Sequence, residues 1–184
     1  SCYINACRTL HLKEERIRKA EEVMARFPKL KIGKHGQLME WMEDYEEPEP
    51  GHRHISHVYG VYPGSSISWE KTKELMEAAK VTLERRLANG GGHTGWSRAW
   101  IIGLWTRFRE GKKAFENLQA ILTMGTYPNL MDNHPLGEFG YVFQIDGNLG
   151  ASAAVLEMLA YSRPERLELL PAITEETAGG SLSG

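Results

Sequence analysis

Residues 96–108, WSRAWIIGLWTRF, decide how the rest of the chain is read. Wound into a helix, this stretch is apolar nearly all round. A helix lying on a surface is apolar on one stripe; one that is apolar on every side is enclosed by neighbours. The stretch therefore predicts a buried helix, with Trp100 and Trp105 in the core, and it requires other helices to cover it.

Those helices are found on both sides. Downstream, 110–124 places Ala114, Leu118, Ile121 and Leu122 along one face. Upstream, 66–87 offers Ser68 as a cap and aligns Leu75, Ala78, Ala79, Leu83 and Leu87. Residues 12–27 repeat apolar positions at Ile17, Ala20, Val23, Met24 and Phe27 until Pro28 stops them. Residues 37–45 read as a short helix, and 149–162, LGASAAVLEMLAYS, as a helix of small residues suited to close packing. Between them, 125–148 is a long polar connection, and 165–184 a strand or loop leading out. No β-alternation of any length appears. The fold class is mainly α, with helices paired through loops.

Composition narrows the function. The chain has 184 residues, enough for one domain with a real core, and a formal net charge of −2. No basic stripe points to nucleic acid, and no apolar run reaches the length of a membrane span. Cys2 and Cys7 are too few for a disulfide framework and lack CxxC spacing. The start has no long apolar run of the kind a secretory signal carries.

Four loop motifs concentrate the chemistry: GQLMEWMED (36–44), GHRHISHVYGVYPG (51–64), GGGHTGWSRAW (90–100) and FQIDGNLGASA (143–153). Long loops rich in His, Trp, Arg, Asn and Asp are functional more often than decorative. His52, His54 and His57 invite a metal, but Arg53 between two imidazoles opposes a cation, and no HExxH or nearby Cys accompanies them. Hydrogen bonding within a folded loop is the plainer role for His52 and His57. Ser97 in GWSRA is not a GxSxG nucleophile. The glycines of 90–92 lack the Lys of a phosphate loop. Sugar chemistry uses carboxylates to move protons, aromatic rings to cover apolar sugar faces and planar polar groups to read hydroxyls, and the four motifs hold all of these. Trp41 is as fit for core as for site, and the acidic run Glu43, Asp44, Glu46 and Glu47 reads as a solvated turn.

Residues 36–64, TGWSRAW, NLMDNHP and FQIDGNLGASAAVLEMLAYS…LELLPA, in that order, resemble glycoside hydrolase family 95, whose members are mostly α-L-fucosidases with some α-L-galactosidases. The resemblance runs from about residue 12 to the end. It implies part of an (α/α)6 toroid over 12–166, a poorly assigned segment at 1–11, and an exit segment at 167–184 toward a C-terminal β-domain. It implies inverting hydrolysis of terminal α-L-fucosyl residues with α-1,2 preference, without metal or cofactor, on a fucosylated glycan, in a secreted, periplasmic or cell-surface setting. Asp146 takes the place of the aspartate that polarises the water-activating asparagines. Arg53 and His54 take the place of the pair that holds fucose hydroxyls, joined by Trp96, Gln144 and Asn148 as substrate-binding candidates. Glu40, His57 and Arg98 stand as catalytic or supporting candidates.

The family's acid glutamate lies in a Ser-Pro-Glu segment upstream of GQLMEW, with its asparagines further upstream still. The chain therefore corresponds to roughly the second half of a catalytic domain, needs the missing N-terminal half as its partner, and is expected to be inactive alone. Two other readings remain at this stage: a non-catalytic helical carbohydrate-binding module and an α-L-galactosidase. A half toroid also predicts that some of Trp100, Ile101, Leu104 and Trp105 lack packing partners.

Overall fold

The computed structural model of the protein describes residues 2–135, 137–163 and 166–175. The chain divides into two compact units, Ser1–Lys31 and Ile32–Gly184.

In the first unit, α1 (Cys2–Thr9) and α2 (Glu14–Met24) pack through Ile4, Cys7 and Ile17, with Ala20 beside them. Helix α1 was not anticipated. Helix α2 follows its predicted stripe only at the inner end, because Val23, Met24 and Phe27 remain exposed. The Arg8–Glu21 pair (3.0 Å) joining the two helices is exposed on both sides, so it contributes less than about 1 kcal/mol.

The second unit is built around α4 (Gly95–Arg107), flanked by α5 (Gly111–Met124) and α6 (Ile145–Leu159), with α3 (Lys73–Ala88) supplying Met76, Ala78, Ala79 and Leu83 to the same core. The 96–108 reading holds: Ile101, Ile102, Leu104, Trp105 and Phe108 are all buried. The expectation of uncovered residues there does not. Ile101, Leu104 and Trp105 are enclosed within this chain, and Trp100 is half-buried with its Nε1 donating to the Tyr62 carbonyl at 2.7 Å. Apolar surface is left bare instead at Leu122, Leu149 and Leu156, since α5 and α6 spend their inner faces on α4.

Three other expectations change. Residues 37–45 form no helix. The Gln37 side chain accepts from His35 N (2.9 Å) and donates to Asp44 (3.1 Å), while Asp44 accepts from Lys34 N (2.6 Å). These side-chain bonds offer the backbone an alternative to a helical ladder. Ser68 caps a turn rather than α3. Its N–H donates to Thr72 Oγ1 (2.9 Å), and the helix starts only after Thr72. The polar connection contains a hairpin, β1 (Asn133–Pro135) against β2 (Tyr141–Phe143), paired Asn133 to Phe143. The small-residue helix starts earlier than predicted, at Ile145, which puts Asp146 in its first turn.

The outgoing segment begins as a strand, β4 (Arg166–Leu169), paired antiparallel with β3 (Ala160–Arg163), and continues over 170–175 as turn and loop. Residues 176–184 of the predicted exit segment lie outside the described residues. Arg107 ties these parts together. Its guanidinium binds Glu157 of α6 in a fork (2.7 and 3.0 Å), donates to the carbonyls of Val61 (3.3 Å) and Gly64 (3.2 Å) and to Tyr161 OH, and lies 3.5 Å from the Tyr161 ring centroid. Bidentate guanidinium–carboxylate pairs of this kind are among the stronger polar contacts.

Candidate functional site

Helices α4 and α6 begin side by side, and one residue joins the two starts. Gln144 is the N-cap residue of α6, but its side chain does not cap its own helix. Its Oε1 accepts from Trp96 N at 3.0 Å and so satisfies a first-turn donor of α4. The Trp96 ring lies against His54, with centroids 5.3 Å apart. His54 lies edge-on to His52 at 4.7 Å, and Trp100 stands behind Trp96 at 6.4 Å. Three motifs far apart in sequence thus converge: the HRH loop, the glycine loop before α4, and the turn into α6.

The exposed faces of this cluster are chemically distinct. Arg53 is half-buried beside His54 and makes no ion pair among the described residues. Slight burial, then the charges of Arg53 and His52, hold the His54 imidazole below the usual histidine range, which favours its neutral form. Asp146 is exposed in the first turn of α6, where the helix dipole favours an anion. Asn148 is turned inward. It accepts from Asp132 N (2.8 Å) and donates to the Leu130 carbonyl (2.9 Å), so both ends of its amide are committed to the 130–132 turn. Leu130 itself has φ +65, a conformation that costs a non-glycine residue and persists only where neighbours hold it.

The remaining candidates face other partners. Glu40 binds Arg86 at 2.9 Å, and Arg86 also donates to the Glu49 carbonyl at 3.1 Å. His57 sits 3.7 Å from Glu40, but burial and the Arg86 charge push its pKa down to about 4, so it is neutral at pH 7 and the contact is no ion pair. Arg98 donates to Asn117 Oδ1 (2.8 Å) between α4 and α5. Trp41, 64 % exposed, is no core residue. It lines a groove of about 400 Å³ with Tyr45, His52 and His54.

Asp132 was missed by the sequence reading. It is buried between the first turns of α4 and α6, with its main chain bonded to Gln144 and Asn148. Burial, then the Asp146 charge, raise its carboxyl to about 6. The neighbouring Asn133 N–H opposes that rise, but it gives its hydrogen bond to the Gly125 carbonyl (2.8 Å).

The sequence profile described as the glycosyl hydrolase family 95 catalytic domain matches residues 1–159. The chain is 38% identical over 168 residues to "Alpha-L-fucosidase 2" of Arabidopsis thaliana, covering 85% of this chain and 19% of that protein. It is 31% identical over 174 residues to "Probable alpha-fucosidase A" of Aspergillus oryzae, covering 84% of this chain and 24% of that protein. The protein of the same name from Aspergillus niger is 29% identical over 171 residues, covering 85% and 21%. The chain thus spans 19–24% of the length of these curated relatives.

Proposed function

This chain belongs to glycosyl hydrolase family 95, and from that premise we propose that it forms part of the sugar site of an inverting exo-α-L-fucosidase acting on terminal α-1,2-linked fucose. The observation that carries the reading is the convergence of His54, Trp96 and Gln144 (5.3 Å between rings, 3.0 Å to the amide) beside an exposed Asp146. Trp96 and His54 offer aromatic faces to the apolar side of a sugar. Arg53 offers planar donors to hydroxyls.

In an inverting hydrolysis, water attacks the anomeric carbon as the glycosidic C–O bond breaks, and the leaving oxygen takes a proton from an acid. Asp146, carrying negative charge at the start of α6, polarises the groups that orient that water. The proton comes from a glutamic acid elsewhere in the protein. Glu40 is ill-placed to supply it, because its carboxylate is engaged by the Arg86 guanidinium at 2.9 Å. In this reading Glu40, Arg86 and His57 brace the HRH loop. The helices form part of an (α/α)6 toroid, and the chain alone hydrolyses little, since positioning and acid–base groups act as a unit.

The test compares p-nitrophenyl α-L-fucoside hydrolysis by this chain and by the full-length protein, with NMR detection of the first-formed anomer. Expected is inversion by the full-length protein and negligible turnover by the chain. Retention, or preference for the α-L-galactoside, overturns the respective part of the proposal. Fucose binding with no hydrolysis by the full-length protein replaces it with a carbohydrate-binding role.

A further inference from the structure

Asp132 is a carboxylate that the proposed chemistry leaves unused and that the fold nevertheless encloses. Its exposure is 0 %, and neither side-chain oxygen has a hydrogen-bond partner among the described residues. Buried polar atoms are nearly always paired, so an unpaired carboxylate calls for a reason. It is not loosely held. A Cβ on Gly95 would lie 1.9 Å from its Oδ1, and a Cβ on Gly147 2.2 Å from its Cγ. These glycines stand in the first turns of α4 and α6, the turns that carry Trp96 and Asp146. The main chain of Asp132 also clasps both flanks of Asp146. Its carbonyl accepts from Gln144 N (3.2 Å), and its N–H donates to Asn148 Oδ1 (2.8 Å). Asparagine would fill the same wedge, so what the carboxylate adds is charge.

We propose that Asp132 is a positioning residue for Asp146: wedged between Gly95 and Gly147, it sets the approach of the first turns of α4 and α6 and, by like-charge repulsion, holds the Asp146 carboxylate outward toward substrate. This rests on the reading of Asp146 as the group that polarises the water-activating side chains. Asp146 is the charged group of α6 that acts on Asp132. On α4, Arg98 is committed to Asn117 Oδ1 (2.8 Å), and on β1, His134 is half-buried two residues along. Asp132 therefore takes up its proton near pH 6, held up first by burial and further by the Asp146 charge.

Two measurements test this. In the full-length protein, Asp132→Asn is expected to lower kcat by about tenfold or more while KM changes less than about threefold. The acidic limb of its kcat/KM profile is expected to move to lower pH, because the carboxyl that takes up a proton near pH 6 is gone. Loss of kcat with an unmoved acidic limb reduces Asp132 to packing and overturns the proposal, as does an unchanged kcat. The second measurement needs neither activity nor a folded Asp132 variant. The Asp132 carboxyl is titrated by NMR in this chain with and without Asp146→Asn, and its midpoint is expected to fall from about 6 toward the ordinary carboxylate range. An unmoved midpoint overturns the coupling. An inactive full-length wild type with a moved midpoint faults the fucosidase reading and leaves the coupling standing.

Discussion

Glu40 at the surface and Asp132 in the interior are carboxylates treated in opposite ways. Glu40 meets a guanidinium at 2.9 Å, and that guanidinium also holds a backbone carbonyl. Asp132 meets two glycines, and the charge that acts on it is a second carboxylate. The first arrangement holds a loop in place at modest cost, because the buried Arg86 charge is compensated. The second concentrates uncompensated charge where α4 and α6 start. Structural ionic groups are paired, whereas uncompensated ones gather where chemistry is done.

The contrast is broken most sharply at Arg86. Glu40→Gln leaves the buried Arg86 guanidinium without its ion-pair partner and is expected to cost about 3 kcal/mol in urea unfolding. A loss under about 1 kcal/mol means that water already screens the pair, and the contrast collapses. Next comes the glycine clamp. Gly147→Ala puts a Cβ 2.3 Å from Asp132 Oδ2, and a loss of about 2–3 kcal/mol is expected from overpacking. In an Asp132→Ala background most of that loss should vanish, and additive losses would show that the clash lies elsewhere.

The two clusters should also tilt stability with pH in opposite senses. The carboxyl of Asp132 is raised to about 6 in the folded chain, so its contribution is complete below the ordinary carboxylate value and is lost as pH rises through 6. Relative to Asp132→Asn, the wild type should lose about 2 kcal/mol between pH 4 and pH 7. Parallel curves for the two proteins refute this. The imidazole of His57 is depressed to about 4 from 6.5, so its contribution is present above 6.5 and is lost as pH falls toward 4. Relative to His57→Gln, the wild type should lose roughly 2 kcal/mol between pH 7 and pH 5. Equal denaturation midpoints across that range would place His57 in water.

The same contrast explains what could be read in advance. Helix α4 was legible because its apolar residues leave no polar face, a property of thirteen adjacent positions. His54, Arg53 and Asp146 stood out through the family resemblance of their motifs, and Trp96 through the motif that opens α4. The 37–45 segment was misread because Gln37 and Asp44 turn their polar groups onto nearby backbone, which periodicity does not register. Asn148 belongs to a legible motif yet faces inward to Asp132. Asp132 was invisible because its burial is made by residues 37 positions before it and 15 after it: Gly95 and Gly147. The available signal was the glycines themselves. Each stands in the first turn of a helix, where glycine is a poor former, and that marks a close approach by something else.

Arg107 has a mechanical consequence. One guanidinium engages α6, the 61–64 loop and Tyr161 of β3 while its backbone belongs to α4. No single bond can be released to let one of these segments slide while the others stay. The rods α4 and α6 therefore act as one stiff frame. The starts of α4 and α6, which carry Trp96 and Asp146, are thereby fixed relative to one another.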